Sequence, residues 1–156
     1  MVRAIAETEL GTFIAEGDEN GVTRIWLPGT APDELEPAGE MPWSFEKQIR
    51  DYLDGKRRDW NLPYSLCGTP FRVAVWAACR DIPSGETRTY GELAEIAGYP
   101  GAARAVGSAM AANPLPLIIP CHRVLPASGG IGSYGGGKAL KAALLELENS
   151  TKKENE

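Results

Sequence analysis

Ile119-Pro120-Cys121-His122-Arg123-Val124 sets the only histidine of a 156-residue chain directly behind a cysteine, in the middle of an apolar run. A thiol attacks as the thiolate, and a free cysteine with a pKa near ~8.5 is only a few per cent ionised at neutral pH, so a neighbouring imidazole supplies the missing base. On an extended segment residues i and i+1 point to opposite sides. His122 is therefore expected to reach Cys121 through a backbone turn or a bridging water. The lead-in Leu115-Pro116-Leu117-Ile118-Ile119-Pro120 reads as a short buried strand whose ends two prolines fix, which would put the thiol at the end of a rigid element. Taken alone, the pair also fits a small buried cysteine beside a satisfied loop histidine.

Upstream, Thr69-Pro70 offers an N-cap followed by proline at the first helical position, and Phe71, Ala74, Val75 and Ala78 give an apolar stripe for a helix that ends near Arg80. After the turn Pro83-Ser84-Gly85-Glu86, the stretch Thr89-Tyr90-Gly91-Glu92 fits a capping box, and Leu93, Ala94, Ile96 and Ala97 continue a helix until Gly98 stops it. A second helix over about 102–112 follows a Gly-Tyr-Pro turn, which is helix-turn-helix spacing. Its face through Arg104, Gly107, Ser108 and Ala111 has one long side chain among small ones, too few for reading base edges in a major groove. Small residues permit close backbone approach to a narrow groove, and one arginine can enter a base stack. Ala103, Val106, Met110 and Asn113 form the core-facing stripe.

Downstream, Gly129-Gly130, Gly132 and Gly135-Gly136-Gly137 surround Ile131, Ser133 and Tyr134, a loop that folds tightly and presents backbone N–H groups. It lacks the G-K-[ST] ending of a phosphate-binding loop, and a base pocket fits better. A last helix over about 137–148 buries Leu140, Leu144 and Leu147 and closes on Glu146 and Glu148. Carboxylates there oppose the macrodipole, so a partner group or a solvated tail is expected.

Before residue 64 the pattern changes. Val2–Ala6, Thr12–Glu16 and Val22–Leu27 alternate or cluster β-formers, with Asp18-Glu19-Asn20-Gly21 as a turn, and predict a small antiparallel sheet. Residues 28–40 are proline-rich and acidic, a surface loop. Phe45, Ile49, Tyr52 and Leu53 predict one amphipathic helix over about 43–54, and 56–63 a polar connection whose Lys56-Arg57-Arg58 cluster is either solvated or DNA-facing. The expected fold class is α+β: residues 1–63 a sheet-plus-helix domain, 64–150 a mostly helical domain carrying the helix-turn-helix and Cys121, and 151–156 a polar tail.

The net charge of −5 argues against a nucleic-acid partner only if it is spread evenly. It is not: 13 of the 21 acids lie in residues 1–60, whereas residues 96–145 carry none and hold Arg104, Arg123, Lys138 and Lys141. A phosphate backbone meets no repulsion there. Cys67, Cys79 and Cys121 form no C-x-x-C pair and one histidine is too few for the usual zinc sets, so no metal is expected and a Cys67–Cys79 disulfide stays open as a possibility. No apolar span is long enough for a membrane helix, and the first seven residues lack a secretory pattern. Cytoplasmic residence, or nuclear in a eukaryote, is the expectation.

In order, Gly68-Thr69-Pro70-Phe71, Val75-Trp76, Ile82-Pro83-Ser84-Gly85-Glu86-Thr87, Thr89-Tyr90-Gly91, Ala103-Arg104-Ala105-Val106-Gly107, Asn113-Pro114, Ile119 to Val124, Tyr134-Gly135-Gly136 and Leu144-Leu145-Glu146-Leu147-Glu148 closely resemble the O6-alkylguanine-DNA alkyltransferases, also called methylated-DNA-protein-cysteine methyltransferases. The resemblance is specific over about residues 66–148 and weak before them. It implies a single-turnover repair protein, without cofactor and monomeric, that binds double-stranded DNA through the minor groove without sequence specificity, flips out O6-alkylguanine (and O4-alkylthymine) and moves the alkyl group to Cys121.

By the same resemblance Glu148 orients His122, which deprotonates Cys121 through a water. Asn113 steadies the active-site turn, and Tyr90 gives a proton to guanine N3. Arg104 fills the vacated stack, with Tyr90, Ala103, Gly107, Ser108 and Arg123 also on the DNA side. Met110, Val124, Ile131, Gly132, Tyr134 and Gly135 line the base pocket, where the carbonyls of Cys121 and Val124 accept from the exocyclic amine. Two departures stand out: Gly135 where the family often has serine, and no histidines for the N-terminal zinc site of several members. Two rivals belong to other classes, a non-catalytic lesion-binding protein and a Cys-His hydrolase. The presence of Cys121 opposes the first, and a helix-turn-helix without purpose opposes the second.

Overall fold

The computed structural model describes residues 1–154. The chain divides into two units, Met1–Leu66 and Cys67–Glu156. In the first, β1 (Val2–Thr8), β2 (Gly11–Asp18) and β3 (Gly21–Trp26) pair antiparallel, with Ile5 opposite Ile14 and Ile14 opposite Trp26. Gly21, at φ +133°, lies so near the Pro63 backbone that an added Cβ would sit 2.6 Å from it, which fixes glycine in this turn.

The expected surface loop ends differently. Gly39–Glu40 forms β4 parallel to β1, held by Gly39 N–H to Met1 O (3.0 Å) and Met41 N–H to Arg3 O (3.1 Å), so the sheet is mixed rather than purely antiparallel. Helix α1 (Phe45–Leu53) buries Phe45, Ile49 and Tyr52 of the expected stripe, together with Gln48, while Leu53 is only half-buried. The Gln48 side chain pairs with the Asn61 backbone in both directions, accepting at 2.8 Å and donating at 3.0 Å. A buried amide is thereby satisfied and the connecting segment is tied down.

In the second unit, α2 (Pro70–Arg80) starts where Thr69 and Pro70 predict, with the Thr69 hydroxyl accepting from Arg72 N–H. Its buried side is Val75, Trp76 and Cys79, rotated from the expected stripe, and Phe71 instead meets the Tyr99 ring edge-on at 4.8 Å. The strand β5 (Arg88–Thr89) leads into α3 (Tyr90–Ile96), whose Thr89/Glu92 capping box forms in both directions. Then comes α4 (Ala103–Ala111), which buries Val106, Ala109 and Met110. Ile96, expected in the apolar stripe of α3, is 58% exposed. The indole N–H of Trp76 donates to Ala109 O (2.9 Å), fastening α2 to the end of α4.

Residues 115–120 are buried but are not a strand. They turn on Ile119 N–H to Leu115 O (2.8 Å), with Leu117 at φ +79° and a single bridge between Pro116 and Ile119. Three prolines, Pro114, Pro116 and Pro120, remove the N–H groups that a ladder would need. A 3₁₀ turn, Cys121–Arg123, follows, then β6 (Val124–Leu125), paired parallel with β5. The last helix, α5 (Lys138–Glu154), runs six residues past the expected end at 148. Thr151 is buried on it, and the Lys152 stem is packed so close to Gly85 that a Cβ there would meet it at 2.8 Å. Residues 151–154, expected in a polar tail, are therefore helical, and 155–156 lie outside the described residues. Glu148 sits in the helix interior, so the macrodipole argument does not apply to it. All three cysteines are free.

Candidate active site

The 3₁₀ turn puts Cys121, His122 and Arg123 in one buried layer, and α5 brings Glu148 to it. His122 is 1% exposed, and its Nε2 lies 2.9 Å from Glu148 Oε2. A carboxylate can only accept there, so Nε2 carries the proton and Nδ1 is left as the basic nitrogen. Nδ1 has no hydrogen-bond partner among the described residues.

Arg123, expected on the DNA side, is corrected by its surroundings. It is 5% exposed, forks onto Glu148 through Nε (2.8 Å) and Nη2 (2.8 Å), and gives Nη1 to Ile82 O (2.6 Å). A guanidinium buried and bonded in this way cannot reach a phosphate. Lys141, expected on the same carboxylate-free surface, is also fully buried, so of the four bases of that stretch only Arg104 and Lys138 are exposed.

The ionisation pattern follows. Burial pushes the Glu148 carboxyl up, but hydrogen bonds from Arg123 and His122 outweigh it and hold the group far below the usual carboxylate range. Burial pushes His122 down, against the pull of Glu148, so the imidazole is neutral at pH 7. Burial pushes the Cys121 thiol up, opposed by the Asn113 amide and the Lys141 ammonium. The resting pair is thus thiol and neutral imidazole, with the thiolate formed on demand.

Asn113 closes the turn that carries the cysteine, donating Nδ2 to Ile119 O (2.8 Å) and accepting from Leu115 N–H (2.9 Å). Tyr90, the first residue of α3, is half-buried, and the charges of Cys121 and Cys79 act on it behind the larger effect of burial in raising its hydroxyl pKa. The Tyr134 ring stands edge-on to His122 at 6.4 Å. Gly132, at φ +74°, faces the Pro126 ring so closely that a Cβ would meet it at 2.9 Å, whereas a Cβ on Gly135 would meet nothing. Ile131 is half-buried, Val124 buried, and Met110 buried on the inner side of α4. On its outer side Arg104 and Ser108 are exposed and Ala103 and Gly107 half-buried, with open space over Gly107. No helix among the described residues is long and apolar enough to cross a membrane, and no cluster of metal-ligating residues occurs among them.

Arg123→Met would leave the Glu148 carboxylate buried without its guanidinium. The expected loss, read by urea unfolding, is about 3–5 kcal/mol. Glu148→Gln strands the always-charged Arg123 guanidinium and should lose a similar amount, whereas the double variant Arg123→Met/Glu148→Gln, which removes both charges together with their desolvation, should lose less than the sum. Acid should act in two stages. The neutral His122 gives up stability as pH falls below ~6.5, because the unfolded chain takes the proton first. The depressed Glu148 then loses its contribution as pH falls below ~4.3.

A two-unit α+β protein with a helix-turn-helix beside a buried cysteine, histidine and glutamate defines the class. The family described as 6-O-methylguanine DNA methyltransferase, DNA binding domain, matches residues 70–150. A methylated-DNA–protein-cysteine methyltransferase of Methanosarcina acetivorans is 38% identical over 155 residues, covering 96% of this chain and 99% of that protein. The Mycobacterium leprae protein of the same name is 52% identical over 101 residues, 65% of this chain and 61% of its own length. The crystal structure of Mycobacterium tuberculosis OGT in complex with DNA superposes with a TM-score of 0.86 at 38% identity, covering 97% of this chain and 94% of that one. The chain belongs to the methylated-DNA–protein-cysteine methyltransferase family.

Proposed function

We propose that this chain repairs DNA by moving the alkyl group of O6-alkylguanine, and of O4-alkylthymine, irreversibly onto Cys121, once per molecule. The observation that carries the reading is the buried array of Cys121, His122 and Glu148, with Nε2 committed to the carboxylate and Nδ1 left basic. A base inside the stack shields its O6 substituent from a protein thiol, so the nucleotide must leave the duplex, at a cost of a few kcal/mol. Arg104, exposed on α4 among small residues, takes the vacated place from the minor-groove side. Because that face offers one long side chain, binding is independent of sequence.

In the pocket, His122 Nδ1 takes the Cys121 proton through a water. The thiolate then attacks the alkyl carbon in line, the S–C bond forms as the C–O6 bond breaks, and the electron pair leaves with the guanine. Tyr90 donates a proton to N3, which neutralises the departing base. The carbonyls of Cys121 and Val124 accept from the exocyclic amine, and a carbonyl has lone pairs for two donors. The Gly135 N–H donates to O6. The thioether is a poor leaving group and no second base stands ready to hydrolyse it, so the reaction stops there. No cofactor takes part, and the protein acts as a monomer in the cytoplasm, or in the nucleus of a eukaryote.

The test is a duplex oligonucleotide with one O6-methylguanine. Guanine should appear in place within the intact strand. Release of free base, or binding without loss of the lesion, would overturn the reading.

A further inference from the structure

Lys141 is the one amine among the described residues with no exposed surface, and the structure gives it no carboxylate partner. Its Nζ donates to Val124 O at 2.8 Å and Ser133 O at 3.3 Å. An ammonium taken out of water normally acquires an anion, since burying an isolated charge is costly. Here the nearest acids are spoken for: Glu148 is held by His122 and Arg123, and residues 96–145 contain no carboxylate at all. Two carbonyl dipoles offset part of the cost and leave a positive field in place.

Val124, whose carbonyl holds the ammonium, is bonded through its own N–H to Cys121 O, so that field falls one turn from the nucleophile. Burial pushes the Cys121 thiol up and the Lys141 ammonium down, and each group's charge opposes the other's shift; burial also lowers His122, and Lys141 adds to that by opposing a positive charge on the ring. The other groups facing this layer are Tyr90 and Cys79, both neutral at pH 7, and the Arg123/Glu148 pair, whose charges cancel. The thiolate is therefore the anion that Lys141 lacks, and it exists only while the reaction proceeds. Charge placed in advance where charge will develop needs no rearrangement at the moment of reaction.

The two carbonyls sit on different elements, Val124 on β6 beside the nucleophile and Ser133 in the glycine-rich segment. Seven of the eleven residues 127–137 are exposed, and glycine gives the segment little stiffness of its own.

Resting on the alkyl-transfer reading, we propose that Lys141 is a positioning residue for the reaction: its buried ammonium is the counter-charge of the forming Cys121 thiolate, and its two carbonyl bonds clamp the glycine-rich pocket wall to the strand behind the nucleophile. The two roles separate by substitution. Lys141→Arg keeps the charge, Lys141→Gln keeps a neutral donor, and Lys141→Met keeps neither.

The experiment follows alkylation of Cys121 by iodoacetamide as a function of pH, with peptide mass mapping to exclude Cys67 and Cys79, because this small electrophile reads thiolate formation without DNA or base binding. Lys141→Gln and Lys141→Met should raise the midpoint of the profile by about one pH unit, close to tenfold in rate at pH 7, and Lys141→Arg should keep the wild-type midpoint. Transfer from an O6-methylguanine oligonucleotide should fall further in Met than in Gln. If Met fails to fold, Gln against Arg decides. Equal midpoints for Gln and Arg overturn the proposal, as does a wild-type midpoint in Met. If the wild-type protein leaves the oligonucleotide unrepaired while the iodoacetamide profiles shift as stated, the alkyl-transfer reading fails and the electrostatic role of Lys141 stands.

Discussion

Cys121→Ser should lose alkyl transfer down to the uncatalysed background and still bind duplex DNA that carries the lesion. A serine hydroxyl titrates far above a thiol, and the neutral His122 is too weak a base to ionise it, so the attacking anion is gone while the shape of the pocket is nearly kept. Cys121 is buried in the 3₁₀ turn, and the smaller oxygen leaves the turn's own bonds, Cys121 N–H to Ile119 O (2.7 Å) and the two Asn113 contacts, untouched. Binding is measured by fluorescence anisotropy and transfer by loss of the lesion. Residual transfer by the serine variant would move the acceptor elsewhere, and loss of both activities would mean that the thiol is structural.

Arg104→Ala should separate the duplex from the chemistry. The side chain lies on the exposed face of α4, opposite its buried Val106, Ala109 and Met110, whereas Cys121, His122 and Glu148 are themselves buried. In the proposed role Arg104 fills the vacated stack, so its loss should return a few kcal/mol of unstacking cost to the barrier, on the order of 10²-fold in rate on duplex DNA. The free modified base, which needs no extrusion, should react within about twofold of wild type. Equal losses on both substrates would make Arg104 a packing residue.

What was legible in the chain was local chemistry. Thr69-Pro70 and the Thr89/Glu92 box start two helices where their side chains can satisfy free N–H groups, and both form. Cys121 and His122 adjoin in the sequence, and their burial follows from the apolar run before them. The misreadings have long-range causes. An apolar run bounded by prolines fits a strand by composition, but the missing N–H groups turn it.

The polar stretch from Thr151 on looks like a tail, yet Thr151 is buried and Lys152 packs over Gly85, a contact that no window around residue 151 contains. A carboxylate-free stretch reads as a surface for phosphate, whereas two of its four bases are inside: Arg123 finds its acid 25 residues on, and Lys141 finds carbonyls. A usable signal was present. Basic residues isolated from local acids must either face solvent or be paired at a distance, and Arg123 and Lys141 stand in apolar surroundings at positions where solvent is excluded.

The central claim, one alkyl group accepted per chain at Cys121, is tested most directly by intact-mass spectrometry after incubation with excess O6-methylguanine duplex, followed by peptide mapping. The predicted result is a single added CH₂ unit on the whole chain, confined to the peptide containing Cys121, that plateaus at one equivalent however much duplex is supplied. Lesion consumed beyond one equivalent with the protein mass unchanged, or methylation on Cys67 or Cys79 in place of Cys121, would contradict it.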